Sequence, residues 1–133
     1  MMDLEFHQLD LRYRDLRVFD PSGESRLLVS LSQSGQRVPV LVVGSGEGRY
    51  ILIDGYRRVS ALRKLGRDTV SAMILSLPEP DALLFAYRME RSGRRSALEE
   101  GWLLKELGSV HGMSREVLSR ALLRSESWIS RRL

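Results

Sequence analysis

Two short apolar runs and the turn between them constrain this chain more than any other feature. Residues 38–43 read VPVLVV and residues 49–53 read RYILI, both β-branched or aromatic and both too short for a helix. They are expected as buried strands. The tract GSGEG between them, residues 44–48, reads as a hairpin turn that pairs the two strands antiparallel. At Asp54 the apolar period changes from two to about 3.6. Val59, Ala61, Leu62 and Leu65 then share one helical face, with Arg57, Arg58, Arg63 and Lys64 around the rest, and Gly66 ends the helix. A third strand follows in TVSAMIL, residues 69–75.

Ahead of the hairpin, Leu4, Phe6, Leu9 and Leu11 alternate loosely with polar neighbours and predict an early strand or extended entry over Leu4 to Leu11. The turn chemistry of FDPSGE, residues 19–24, caps a helical stretch from Arg26 to Ser34, and Gly35 stops it. Beyond Pro78 and Pro80 no strand signal survives. Helical periods run over Ala82–Met89, Ala97–Leu107 and Ser114–Leu122. The fold class is therefore α+β: a small mixed-sheet domain over residues 1–77, then an all-α segment over 81–133.

The residue inventory removes whole classes of function. Cysteine is absent, which excludes disulfide scaffolds, thiolate zinc sites and cysteine nucleophiles. The two histidines, His7 and His111, lack the spacing of a helical metal pair, so no metal ligands are assigned. No apolar run approaches the roughly 20 residues that cross a bilayer, and the acidic start MMDLEFHQLD is no signal peptide. A cytoplasmic protein without membrane partners is expected. The net charge is +4, with Lys64 and Lys105 as the only lysines. Split at Pro80, about +1 lies before it and about +3 in the shorter stretch after it. That bias points to nucleic acid, although a solvated arginine-rich surface has the same composition.

The stretch ILIDGYRRVSALRKLG, residues 51–66, places a glycine between a buried strand and a helix that opens on two arginines. Such an arrangement suits an anion. Gly55 lets backbone approach a ligand, the first helical N–H groups are free to donate, and guanidinium groups match phosphate. Local spacing alone favours the plainer reading, in which Asp54 is a helix N-cap with Arg57 and Arg58 as solvated surface.

The motif GYRR, Gly55 to Arg58, resembles the Gly-Glu-Arg-Arg hallmark of the ParB partition proteins, whose N-terminal domain belongs to the ParB/sulfiredoxin-like superfamily. RVFDPSGESRLLVSLSQSGQRVPVLVV resembles that family's arginine, short helix, glycine and Pro-containing strand, and GRDTVSAMIL its next strand. The resemblance covers about Leu9 to Leu75, and its helical continuation the rest. It implies a site for CTP, with Mg2+ accompanying the nucleotide. Carried over residue by residue, Gly55, Arg57 and Arg58 match the phosphate motif, Arg17 the N-terminal arginine, and Arg91 the last arginine of a Glu-Asn-x-x-Arg segment. Tyr56 stands where the family has Glu, Val38 where it has Gln, and Tyr87 and Arg88 where it has Glu and Asn. These departures remove groups that would orient a water or metal at the γ-phosphate, so binding with weak or absent CTP hydrolysis is implied and no catalytic residue is named. Sulfiredoxin chemistry depends on a cysteine and is excluded.

The last 22 residues, GMSREVLSRALLRSESWISRRL, hold two helical periods around a polar break at Arg124 to Ser127, the layout of a helix-turn-helix. Ser114 is the expected N-cap of the first; the second begins near Ser125 or Glu126. They resemble the ParB/KorB-type helix-turn-helix, with Glu99 and Glu100 as the acidic pair that starts a helix before Gly112 to Ser114; Leu123 replaces the turn glycine. This implies DNA contact through Arg124, Ser127, Arg131 and Arg132. A plain helical bundle, with Ile129 and Leu133 packed on Leu118 and Leu122, is the competing reading. The chain stops inside the second helix, so a fragment of a longer protein is expected, with weak DNA affinity because one module lacks a dimer's avidity.

The function implied is a ParB-like DNA-binding protein of partition, plasmid or mobile-element type. Its implied partners are DNA, a second copy in a homodimer and a partner ATPase, at the nucleoid. The alternatives are a nuclease or other nucleotide-using enzyme on the same fold, or a protein-binding adaptor that has lost the nucleotide.

Overall fold

In a computed structural model, which describes residues 1–90 and 95–133, the segment expected as one strand from Leu4 to Leu11 is two. Strand β1 (Met2–Glu5) and strand β2 (Leu9–Asp10) flank a single 3-10 turn at Phe6–Gln8. The Gln8 side chain closes that turn by accepting the Glu5 amide at 2.9 Å. Helix α1 (Pro21–Ser34) starts five residues earlier than the periodicity predicts, because Asp20 is its N-cap and Pro21 occupies the first helical position. There a missing N–H costs nothing. Strands β3 (Val40–Gly46) and β4 (Arg49–Asp54) form the expected antiparallel hairpin, with the turn reduced to Glu47–Gly48. Helix α2 (Tyr56–Lys64) and strand β5 (Thr69–Ile74) complete the set.

The sheet order is β1-β5-β3-β4-β2, with β3–β5 and β2–β4 parallel. β1 and β2 are thus opposite edges of a five-stranded sheet, yet three residues join them. A flat sheet would separate its edges by about 19 Å. The four Cα steps from Glu5 to Leu9 reach at most about 14 Å. The sheet must curl, and α1 and α2 fill one side of it. Leu4, Val40, Val42, Leu52, Val70 and Ala72 from the strands form one buried cluster with Leu31 of α1 and Val59, Ala61 and Leu62 of α2. Alternation sends Val43, Ile51 and Ile53 to the other face, where they are also buried.

Among the described residues four further helices follow: α3 (Glu79–Met89), α4 (Ala97–Ser109), α5 (Arg115–Leu122) and α6 (Glu126–Arg132). Pro80 does not punctuate the chain as its sequence position suggests. It lies in the first turn of α3, where its absent N–H is again tolerated. The chain divides into two compact units, Met1–Ala82 and Leu83–Leu133, with the division inside α3. In the second unit α4 begins with a full capping box, in which Ser96 accepts from the Glu99 amide and Glu99 from the Ser96 amide. Leu103, Leu104 and Leu107 of α4, Leu118 of α5 and Ile129 of α6 are buried. Leu133 is not; it stays half-exposed. The break between α5 and α6 is Leu123–Ser125, so Ser127 lies inside α6. Among the described residues no helix is long and apolar enough to cross a membrane.

Two residues with positive φ carry opposite strain. Gly55 (φ +110°) is the N-cap of α2, and a Cβ there would meet Val40 Cγ1 at 2.4 Å. Leu123 holds φ +55° with its side chain 91% exposed, so it bears the left-handed penalty and buries nothing in return. Gly55→Ala should therefore destabilise the protein by about 2–4 kcal/mol, and by less in a Val40→Ala background. Leu123→Gly should stabilise it by about 1 kcal/mol. Urea unfolding of the variants, with unchanged slopes, measures both; the same sign for the two substitutions would contradict this account.

Candidate functional site

The loop between β2 and α1 is latched down residue by residue. Arg12 donates to Asp10 at 2.7 Å and to Glu79 at 3.3 Å, and this guanidinium holds the Asp10 carboxyl below its ordinary range. Tyr13 is buried and its hydroxyl donates to Glu79. Its backbone amide donates to the Tyr56 hydroxyl at 3.1 Å, which in turn donates to the Leu52 carbonyl at 2.7 Å. Burial pushes that phenol far above the usual tyrosine range. In the sequence Tyr56 is only a departure from a glutamate. Its position makes it the pin between loop, strand and α2, a role for which the linear sequence holds no signal.

So held, the loop forms one wall of a cavity of about 530 Å³ in the first unit, with the start of α1 and the outer face of α2 as the others. Five cationic side chains line it: Arg14, Arg17, Arg57, Arg63 and Lys64. Three carboxylates, Asp15, Asp20 and Glu24, share the lining. Arg17 and Arg57, forty positions apart in the sequence, are thus brought together. Gly55 is where expected, between strand and helix, but its close approach is to core Val40 rather than to open space. Arg58 follows on α2, half-buried and outside the lining of the cavity. Arg91 lies outside the described residues. Asp54, one candidate for the helix cap, ends β4 instead, and its carboxylate stands 3.7 Å from Arg17. The αL geometry at Gly55 takes the cap position because no side chain fits there.

Carboxylates meet two further cavity cations. Arg57 faces Asp20 at 3.7 Å. Glu24, only 6% exposed, accepts from Lys64 at 2.9 Å and from the Ser60 hydroxyl at 2.7 Å. The Lys64 ammonium, then the Ser60 hydroxyl, hold its carboxyl below the ordinary glutamate range. Sequence reasoning missed this cluster because its members come from two helices, 36 and 40 positions apart.

In the second unit the four residues proposed to meet DNA fall into two pairs. Ser127 and Arg131 stand exposed on α6. Arg124 and Arg132 each lie over the Trp128 ring system, their guanidinium carbons 5.0 and 4.8 Å from its centroid. Arg132 also donates to Glu100 at 3.2 Å. The other oxygen of Glu100 accepts from Tyr87, whose phenol is pushed up to about 12 by burial and by that carboxylate. Arg88 donates to the Ala121 carbonyl at 2.7 Å. Gly101 lets α4 meet the end of α6, since a Cβ there would lie 2.5 Å from the Arg132 carbonyl oxygen.

Comparison with known proteins yields a family model, described as the ParB N-terminal domain, that matches residues 2–89. A nucleoid occlusion protein of Halalkalibacterium halodurans is 29% identical over 137 residues, 97% of this chain and 48% of that protein. The chain spans about half the length of the curated relatives it matches. Two crystal structures of C-terminally truncated ParB from Caulobacter crescentus share the fold at 23% identity and a TM-score of 0.59. One is in complex with CTP-gamma-S, covering 98% of this chain and 75% of that one. The other is bound to the centromeric parS site, covering 99% and 70%.

The buried Glu24 cluster generates a stability prediction with a definite sign. Because the folded pKa is depressed, the stabilisation is complete above the ordinary glutamate value of 4.5 and is lost as pH falls through the lower folded value. Glu24→Gln should cost about 1 kcal/mol at neutral pH, and the gap between the two proteins should close on acidification through that window. Urea unfolding at stepped pH reads it; a gap that persists to the acid end would show the loss comes from packing instead.

Proposed function

The chain belongs to the ParB N-terminal domain family, and from that membership we propose that it is a DNA-binding protein of partition or nucleoid-occlusion type, acting at the nucleoid in the cytoplasm. Its first unit binds CTP and its second presents α6 to DNA. One observation carries the nucleotide half: Arg17 and Arg57 converge from distant parts of the sequence on one cation-rich cavity. The Caulobacter relative was solved with a CTP analogue, which makes the triphosphate the anion of choice. Here Arg57 meets phosphate as a fork of donors, Gly55 and Arg58 complete the set carried by the GYRR motif, and Arg17 joins them as the N-terminal arginine. Mg2+ accompanies the nucleotide; among the described residues no group of three His, Asp or Glu is placed to hold a metal.

Turnover is slow or absent. Tyr56 stands at the glutamate position of the hallmark motif with its hydroxyl committed to Leu52 and Tyr13. Tyr87 and Arg88 are committed to Glu100 and the Ala121 carbonyl. None of these orients a water at a γ-phosphate.

The DNA half rests on the relative bound to parS and on the exposed face of α6. Ser127 and Arg131 reach bases and phosphates, while Arg124 and Arg132 pack over the Trp128 ring and hold the helix in place as well as adding positive charge. The second copy of a homodimer and a partner ATPase complete the proposed assembly.

Isothermal titration with the four ribonucleoside triphosphates should show CTP binding by the full chain, abolished by Arg57→Ala, with phosphate release far below that of a hydrolysing relative. Undiminished CTP affinity in the variant would remove the site, and brisk phosphate release would require a catalytic group elsewhere. For DNA, anisotropy across a salt series should give a steep dependence whose slope falls by about one unit in Arg131→Ala. Arg132→Ala should lower the melting temperature as well. If Arg131→Ala changes nothing and Arg57→Ala destroys DNA binding, the loop of the first unit is the nucleic-acid surface instead.

A further inference from the structure

Resting on the nucleotide reading above, one feature of the cavity has no part in that function: Asp20. Its carboxylate does two things at once. Oδ1 accepts from the Gly23 amide at 3.1 Å as the N-cap of α1, and Oδ2 stands 3.7 Å from the Arg57 guanidinium. Arg57 is the cation on which a bound phosphate would most depend, and both side chains are accessible, 45% and 36% exposed. The pair is therefore loose and open to exchange. A ligand phosphate approaching Arg57 meets an anion already there and must displace it.

We propose that Asp20 is an internal competitor that occupies Arg57 in the free protein and yields it to the ligand's phosphate, so that it sets how much phosphate charge a ligand needs to be retained. A polyphosphate brings several oxygens and charges to the five cations of the cavity and gains more from the exchange than one carboxylate gives up. A monophosphate exchanges one anion for another at Arg57 and gains little. Glu24 does not take this part. It is buried against Lys64 and Ser60 and stays with them.

The cap and the competition are separable, because asparagine caps helices as well as aspartate does. Asp20→Asn should keep the melting temperature and tighten binding of CTP, and of inorganic tripolyphosphate, by about two- to fivefold, the range expected for releasing an exposed ion pair. Asp20→Ser, also a good cap, should do the same and guards against an effect peculiar to the amide. Asp15→Asn removes an equal charge from the same cavity lining without releasing Arg57, and should tighten binding less than Asp20→Asn does. Equal tightening by Asp15→Asn and Asp20→Asn would reduce the effect to general charge and overturn the exchange. Unchanged affinity in both Asp20 variants, with the wild-type chain binding, would overturn it too. Failure of wild type and all variants to bind either probe would instead overturn the anion site itself, and the nucleotide reading with it.

Discussion

A three-residue link between the two opposite edges of a five-stranded sheet governs this structure. Because β1 and β2 cannot lie a flat sheet's width apart, the sheet rolls, and its curvature leaves one hollow side for α1 and α2 to fill. The chain leaving β2 then has no choice but to run past the start of both helices. The tyrosine pin converts that passage into a wall: Tyr56 grips the Tyr13 amide and the Leu52 carbonyl with one hydroxyl. Gly55 is the other half of the device. Without a side chain it lets α2 begin directly above Val40, which a Cβ would forbid.

The cavity this creates has an unusual electrostatic economy. Cations that could attract phosphate are accompanied by carboxylates at 2.9 to 3.7 Å: Asp54 at Arg17, Asp20 at Arg57 and Glu24 at Lys64. These pairs offset part of the mutual repulsion of five converging cations in the free protein. It also means that ligand binding is exchange of partners rather than filling of a bare positive hole. The pairs differ in how readily they exchange. Glu24 is buried and doubly bonded, whereas Asp20 and Arg57 remain accessible to solvent.

The second unit uses charge in another manner. Two arginines lie over the Trp128 ring, and Glu100 ties one of them to the Tyr87 hydroxyl. Short helices of eight and seven residues are weak on their own. Serine caps at Ser114 and Ser125, the glycine contact at Gly101 and this polar chain supply what length does not. Leu123, left-handed and exposed, is the one place where the turn works against its residue.

Much of this was legible in the amino-acid order alone. VPVLVV and RYILI declare themselves as strands because a short β-branched apolar run buried on both faces is a local property, and the helices over α2, α4 and α5 declare themselves by periodic apolar positions for the same reason. The resemblance of GYRR to a phosphate motif likewise lies within four consecutive residues. What the order could not reveal was anything joining residues far apart in the chain. The break of the first strand followed from sheet closure, the choice of Gly55 over Asp54 as the cap from the crowding of Val40, and the helical place of Pro80 from the course of α3. The Glu24 cluster and the Asp20 pair exist only because α1 packs on α2. Local propensities are written in neighbouring side chains, whereas the site is made of pairings across 36 to 40 positions that no short-range pattern encodes.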